Sequence, residues 1–296
     1  MQVPASPNAC DLCEAAGAQE ATPPSAAVKQ RREVIYRHTF LVRLTHWLNA
    51  LVIVLLVGTG LNIFNAHPQL YWGVRGDEYD RPLLSIHAQM VGQVVHGITR
   101  IGALSFDSSG VLGWSKVQGD WAARAWPSWI TLPSFQDLAD ARRWHFLLAW
   151  VLVTNGVVYL VWSLGIRHLQ HDLWPNWTDV RSIPRSILDH IRLKHPTGEA
   201  AKRYNVLQRL AYLCVIMLIG GMIATGLSMS PGFDAAAPWL LTLFGGRQSA
   251  RTLHFIFAAL IVLFIVVHLT EVALAGPLNE IRSMVTGRYV VPREHH

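Results

Sequence analysis

Residues 251–275, RTLHFIFAALIVLFIVVHLTEVALA, form the stretch of the chain that decides its fold. Between Arg251 and Glu271 lie 19 residues with no acidic residue, lysine or arginine, which matches the roughly 20 apolar residues that cross a bilayer as a helix. Two histidines interrupt it, His254 and His268. Fourteen helical steps return to within about 40° of the starting direction and rise about 21 Å. We therefore expect both histidines on one face, one near each membrane surface.

Three other runs have the same character. The sequence predicts spans at 41–64, 143–166, 206–229 and 252–275, with 51% of the chain hydrophobic and only 15% charged. A soluble domain would have about a quarter of its residues charged. The predicted fold is therefore an all-α membrane protein, a four-transmembrane-helix bundle.

The charges lie between the spans and predict the topology. The connection 65–141 has five basic and seven acidic residues, whereas the connection 167–205 and the flanks of the first and last spans are rich in Lys and Arg. Cytoplasmic loops carry the excess of basic residues. We therefore expect both termini and 167–205, named here the inner loop, in the cytoplasm. We expect 65–141, the outer segment, on the other side of a bacterial inner membrane, together with 230–251.

The segments outside the spans carry weaker signals. Residues 1–36, rich in Ala, Pro, Gly and Ser in their first part, predict a disordered cytosolic tail. Residues 83–101 predict a β-hairpin, with a short re-entrant or interfacial helix as the competing interpretation. Residues 184–194 resemble an amphipathic helix on the membrane surface. No internal repeat is evident. The outer segment contains four tryptophans, Trp114, Trp121, Trp126 and Trp129. Tryptophan is enriched at the membrane–water interface, and the same residues could instead form a docking surface for a partner protein.

The four histidines within the spans form two pairs at matched depths. By the predicted topology, His46 and His268 lie on the inner side, whereas His145 and His254 lie on the outer side. An imidazole inside a membrane needs a partner, and each pair offers two axial nitrogens for one haem iron. The sequence thus predicts two stacked haems. Interhelical hydrogen bonds, or a histidine-lined path for metal ions or protons, are the alternatives.

Two glycines and four arginines extend this hypothesis. Gly60 and Gly156 fall on the faces of His46 and His145, at the depth of the other haem, and leave room for a flat macrocycle. Glycine is also common wherever membrane helices pack. Four arginines lie near the predicted haem edges and match propionate carboxylates, although arginines also mark helix ends by snorkelling; they are Arg43, Arg143, Arg247 and Arg251.

Several motifs carry a family resemblance. RLTHWLNA (43–50), YNVLQR (204–209) and the spacing of His254 and His268 resemble the bacterial di-haem cytochrome b family that anchors hydrogenases, formate dehydrogenases and thiosulfate reductases. FNAHPQLYWG (64–73), RRWHF (142–146) and GGRQSARTLHF (245–255) are similar to its thiosulfate reductase branch.

The resemblance implies cofactors and partners. It implies two b haems on the four histidines and a quinone, menaquinone or ubiquinone, as substrate. It implies a quinone site beside the inner haem that includes Asn205 and Gln208, flanked by Tyr204 and Arg209. It also implies a periplasmic redox subunit, of the molybdopterin-dependent oxidoreductase kind.

The functional expectation is a membrane electron-transfer subunit between that partner and the quinone pool. One alternative is a stand-alone quinone oxidoreductase that uses a small diffusible donor such as superoxide. A second alternative is a haem-free transporter of metal ions or protons. The sequence assigns surface or loop roles to His67, His87 and His96, and it assigns either proton relay or structure to Glu271. The Cys10/Cys13 pair lacks the further ligands that a zinc site needs.

Overall fold

A computed structural model describes residues 33–77, 79–166, 176–192 and 206–291. The predictions for Cys10, Cys13, Tyr204 and Asn205 fall outside these residues, as does most of the predicted disordered tail. The helices, in chain order, are α1 Phe40–Asn65, α2 Leu138–Gly165, α3 Trp177–Ile191, α4 Val206–Met229, α5 Pro231–Ala236, α6 Pro238–Leu243, α7 Arg247–Ala275 and α8 Pro277–Thr286. The strands are β1 Val34–Tyr36, β2 Gln69–Leu70, β3 Leu84–Val91, β4 Val94–Ile101, β5 Leu104–Asp107, β6 Gly113–Val117, β7 Asp120–Arg124 and β8 Arg288–Val290.

Four helices, α1, α2, α4 and α7, are long and apolar enough to cross a membrane, which confirms the predicted four-span bundle. Large apolar side chains such as Leu51, Val161 and Leu263 lie exposed along them. In water such surfaces would be an aggregation hazard, whereas lipid covers them. The protein is therefore a multi-pass membrane protein.

Two of these helices begin about five residues before the predicted spans because polar groups cap them. The Asp137 carboxylate accepts the backbone N–H of Asp140 at 3.0 Å, so α2 begins at Leu138. At α7, the Gly73 carbonyl accepts the N–H groups of both Gln248 and Ser249. First-turn N–H groups have no partner within their own helix, and hydropathy gives no sign of a cap supplied from elsewhere in the chain.

The spanning helices pack as two antiparallel hairpins. α1 lies along α2, and α4 lies along α7, whereas contacts between the two hairpins are sparse. We call the interface between the hairpins the seam. At its outer end the rings of Phe64 on α1 and Phe255 on α7 meet with centroids 5.1 Å apart. The names outer and inner denote the two ends of the bundle.

The outer segment is folded into small antiparallel sheets, one with the order β2-β3-β4-β5 and one formed by β6 and β7. The predicted hairpin at 83–101 is confirmed as β3 and β4, paired from Leu84 with Ile101 to Val91 with Val94. Its turn contains Gly92, whose φ of 66° favours glycine. The competing helical interpretation is therefore wrong.

The four tryptophans of the outer segment do not form one belt. Trp114 and Trp121 stack across β6 and β7 with centroids 6.1 Å apart. Trp126 packs against Phe64 on α1. Trp129 is 78% exposed and Trp121 is 49% exposed. Trp114 and Trp126 therefore contribute to the folding of the segment, whereas Trp121 and Trp129 also reach its surface.

Polar side chains anchor the outer segment to both hairpins. On α1, the Asn62 amide donates to the carbonyls of Pro133 and Phe135, at 2.7 and 2.9 Å. The Asn65 carbonyl oxygen accepts the N–H of Trp126 at 2.7 Å. On α7, the Thr252 hydroxyl donates to the Tyr71 carbonyl at 2.6 Å. The segment is thereby fixed above the outer end of the seam.

At the inner end, β1 pairs with β8, so residues 34–36 form a strand where a disordered tail was predicted. Together with α8 we call this pair the clasp. The Asn279 side chain ties it by donating to the Val290 carbonyl and accepting its N–H. The Trp47 indole donates to the Met284 carbonyl at 3.0 Å, which joins the clasp to α1.

The inner-loop helix differs from its prediction. α3 runs over Trp177–Ile191 and not over 184–194, with Pro184 inside it. It starts early because the Asp179 carboxylate accepts the N–H of Asn176 at 2.9 Å and pairs with Arg209 of α4, also at 2.9 Å. The amphipathic pattern of the inner loop does not reveal this ion pair, because Asp179 and Arg209 are far apart in sequence.

Candidate functional site

The four membrane histidines meet across the seam in the two pairs that their depths predicted. The rings of His145 and His254, the outer pair, have centroids 6.4 Å apart and planes 61° apart. The rings of His46 and His268, the inner pair, also lie 6.4 Å apart, with planes 64° apart. Both pairs draw one ring from α7 and the other from the α1–α2 hairpin.

This spacing tests whether a metal fits between the rings. Metal–imidazole bonds are about 2.0–2.1 Å long, and a ring centre lies about 1.2 Å behind its nitrogen, so two axial imidazoles on one metal ion have centroids about 6.4 Å apart. A direct hydrogen bond between two rings would place their nitrogens only about 3 Å apart and so bring the centroids closer than 6.4 Å. The residues present therefore fit a bis-histidine haem at each end of the seam.

The ring of His145 is held from behind by α1. Its Nδ1 lies 2.9 Å from the Thr59 hydroxyl, which in turn lies 3.0 and 3.1 Å from the carbonyls of Leu55 and Leu56. A Cβ on Gly60 would come within 3.3 Å of the His145 Cε1. Gly60 therefore makes room for the histidine ring itself.

The ring of His254 is held by α4 in the same way. Its Nδ1 lies 3.0 Å from the Thr225 hydroxyl, which bonds the carbonyls of Gly221 and Met222 at 2.7 and 3.1 Å. A Cβ on Gly226 would come within 3.4 Å of the His254 Cε1. The two hairpins thus repeat one local arrangement, Thr-Gly on the first helix against histidine on the second.

Sequence reasoning missed this repeat, along with Thr59, Thr225 and Gly226. The available signal was the dipeptide Thr-Gly near the outer end of both α1 and α4. The two contacts do not share one spacing along the chain, because Thr59 is 86 residues from its histidine and Thr225 is only 29 residues from its own.

The inner pair has different surroundings. The Nδ1 of His46 is buried and has no hydrogen-bond partner, and its ring meets Trp47 edge-on at 5.4 Å. The ring of His268 stacks on Phe264 at 5.8 Å. Aromatic contacts therefore surround the inner pair where hydroxyl groups hold the outer one.

The four arginines occupy unlike positions. Arg43 donates to the Val285 carbonyl of the clasp, and Arg251 donates to the His67 carbonyl and lies over the Phe64 ring. Arg143 is exposed and pairs with Asp140 at 3.3 Å, and Arg247 is also exposed. Arg43 and Arg251 are thus the two that lie against other parts of the fold. A propionate role for any of the four stays a prediction.

Gly156 and Gln208 complete the predicted site. No atom lies within 4 Å of a Cβ added at Gly156, so that position borders open space. Gln208 lies in the first turn of α4 and is exposed. Thr225 contacts His254, and a Cβ on Gly221 would touch Phe257. These two contacts align α4 with α7. Because the two helices are antiparallel, the same alignment places Gln208 level with the end of α7 that contains His268.

Two histidines of the outer segment, His67 and His96, contact other side chains of that segment. His67 stacks on Tyr71 at 6.1 Å, and burial, aided by the Arg251 charge, lowers the pKa of His67 below its usual 6.5. The His96 Nδ1 lies 2.6 Å from the Asp107 carboxylate. Hydrogen bonds from Ser109, followed by the one from His96, lower the pKa of Asp107 to about 2.

Comparison with known proteins agrees with this architecture. Residues 37–287 match the family described as prokaryotic cytochrome b561. The chain belongs to that family. As a cytochrome b561 it is a membrane cytochrome b that carries haem b and acts as an electron-transfer subunit. The matched residues contain all four spans and all four paired histidines, while β1 and β8 of the clasp lie just outside them.

A curated relative of this cytochrome b561 is similar over nearly its whole length. It is a "putative protein-methionine-sulfoxide reductase subunit YedZ1" from Azospira oryzae, 27% identical over 243 residues, which are 82% of this chain and 93% of the relative. Among the described residues, no group of three or more His, Cys, Asp or Glu side chains is placed to hold a metal ion. Two-histidine sites suit a haem, whose macrocycle supplies the other ligands.

Proposed function

We propose that this cytochrome b561 carries electrons across the bacterial inner membrane between a periplasmic redox partner and the quinone pool. In this proposal His145 and His254 hold one b haem and His46 and His268 hold a second. Bound haem would supply reversible one-electron chemistry. The chain itself supplies the ligands, fixes their depth and excludes water from the seam.

One observation carries the proposal: two histidine pairs with the same 6.4 Å spacing lie at opposite ends of the seam. His254 and His268 are about 21 Å apart along α7, so the pairs span much of a hydrocarbon core about 30 Å thick. Interhelical hydrogen bonding would not require equal spacing at both ends. A transporter would need a polar path between the ends, but Ile261, midway between the two histidines of α7, is buried and apolar.

The outer segment supports a protein partner rather than a small diffusible donor. Its sheets are fixed above the outer pair by Asn62, Asn65 and Thr252. A rigid platform suits the docking of a folded redox protein. The relative's name as a reductase subunit agrees with such an assembly, and the sequence resemblance favours a molybdopterin-dependent oxidoreductase as the partner.

The quinone is proposed to react at the inner end, near Gln208 and its sequence neighbours Tyr204 and Asn205. The helix register that brings Gln208 level with the end of α7 near His268 supports this location. Menaquinone and ubiquinone fit equally well. The excess of basic residues in the inner loop supports a cytoplasmic position for this end and for both termini.

The experiment is a haem count and a redox titration of the purified full-length chain and four single variants. We expect two b haems per chain in the wild type. His145→Ala and His254→Ala should lose the same haem, and His46→Ala and His268→Ala should lose the other. Thr154→Ala, an exposed change on α2, serves as the control and should keep both.

Two results would overturn the proposal. A purified wild-type chain without the absorbance of reduced b haem would remove its basis. Loss of different haems in His145→Ala and His254→Ala would refute the pairing. Isolation of the wild type from its native membrane with its large subunit, followed by reduction of the haems by that subunit, tests the partner.

A further inference from the structure

We infer that Thr59 and Thr225 are positioning residues for the outer pair. Their hydroxyls hold the rings of His145 and His254 in the tautomer with hydrogen on Nδ1, and they lower the reduction potential of the haem that this pair would hold. The inference rests on the proposed function, because a chain without haem has no such potential.

The tautomer follows from counting hydrogens. A threonine hydroxyl has one hydrogen to donate, and carbonyl oxygens can only accept. Thr59 Oγ1 lies within hydrogen-bond distance of the Leu55 and Leu56 carbonyls, which take that hydrogen. With the oxygen presenting a lone pair to the His145 Nδ1 at 2.9 Å and Nδ1 donating to it, all of these contacts are satisfied together. The remaining nitrogen, Nε2, keeps the lone pair that a metal needs.

The second hairpin repeats the arrangement on different residues. Thr225 is fully buried, and its hydroxyl bonds the Gly221 and Met222 carbonyls and lies 3.0 Å from the His254 Nδ1. In each hairpin a glycine follows the threonine and leaves space beside the ring. The same contact therefore occurs in both hairpins, once on each ring of the outer pair.

The effect on potential follows from the direction of the hydrogen bond. An acceptor on the Nδ1–H of a ligating histidine fixes the ring and makes its other nitrogen more basic. A more basic axial ligand stabilises the ferric state over the ferrous state and so lowers the potential. At the inner pair the His46 Nδ1 is buried without a partner. The influence of the threonines is therefore confined to the outer end.

The test replaces each threonine with valine, which keeps the shape and removes the hydroxyl, and with serine, which keeps the hydroxyl. Redox titrations of the full chain follow the two haems, with the outer one identified from His145→Ala. We expect Thr59→Val and Thr225→Val to shift the outer midpoint to a more positive value, and the double variant to shift it further. The serine variants should stay near the wild type, and the inner midpoint should not move.

Thr45→Val is the matched control. Thr45 is equally buried on α1, and its hydroxyl bonds the Leu41 and Val42 carbonyls in the same way, but no hydrogen bond among the described residues joins that hydroxyl to a histidine ring. Its variant should leave the outer midpoint unchanged.

Each outcome decides the matter. An unchanged outer midpoint in both valine variants, with haem retained, overturns the inference while leaving the proposed function intact. Loss of the outer haem in the valine variants supports the positioning role if the serine variants keep it, and refutes it if they lose it as well. A wild-type chain that binds no haem fails the proposed function instead.

Discussion

Buried polar side chains in this protein form hydrogen bonds with residues that are distant in sequence. Asn155 on α2 is buried, and its amide donates to the Thr45 carbonyl at 2.9 Å and to the Asn49 side chain at 2.7 Å. Asparagine in a bilayer is costly unless it is bonded in this way. The polar residues inside the membrane therefore join helices as well as flanking the paired histidines.

His67 gives the outer segment a pH dependence. Because burial and Arg251 lower its folded-state pKa, the unfolded chain binds more protons between that lowered pKa and about 6.5. Stability should therefore be complete above about pH 6.5 and decrease as the pH falls below it. We expect His67→Gln to reduce the difference in melting temperature between about pH 7.5 and 5.5. The same difference in the variant and the wild type would contradict this account.

At the scale of elements, two asparagines tie backbone segments at opposite ends of the bundle. Asn62 binds the 133–135 carbonyls of the outer segment, and Asn279 binds both backbone groups of Val290 in the clasp. Both connect elements that are far apart in the chain. Each should therefore control the local stability of its own end.

Asn62→Ala should loosen residues 126–135 by about 1–3 kcal/mol, because it leaves two carbonyls without their donor. Hydrogen exchange of that segment, measured by mass spectrometry, should accelerate, while residues 288–291 stay protected. Asn279→Ala is the reciprocal control, with the opposite pattern expected. Equal acceleration at both ends in either variant would mean that the anchors are not local.

At the scale of the whole molecule, the two hairpins meet at the seam through the two histidine pairs and through Phe64 and Phe255. Since contacts between the hairpins are otherwise sparse, a group bound by one ring from each side would hold them together. A ligand that binds only the folded state stabilises it by about 4 kcal/mol at a thousand times its dissociation constant.

Protein produced under haem depletion should therefore melt at a lower temperature than the haem-loaded chain, as followed by loss of the monodisperse species on heating in detergent. A variant with all four paired histidines changed to alanine is the control, and depletion should not lower its melting temperature further. A wild type whose melting temperature is independent of haem supply would show that the hairpins hold each other without it.

The sequence by itself determined the four spans, the 83–101 hairpin and the two histidine pairs. These follow from chain-local physics: the length of an apolar run is set by the bilayer, and the helical repeat places His254 and His268 on one face. An apolar, β-branched run with Gly92 near its middle likewise predicts a hairpin within a short window.

Only the tertiary structure decided what holds the histidines and the outer segment in place. Thr59 meets His145, Arg209 meets Asp179, and β1 meets β8 across separations that no local period records. A hydroxyl or a carboxylate can bond many partners, and the choice depends on which helices are neighbours. For the four paired histidines, their positions along the apolar runs determined their depth in the membrane. The packing of the two hairpins determined the 6.4 Å between the centroids of their rings.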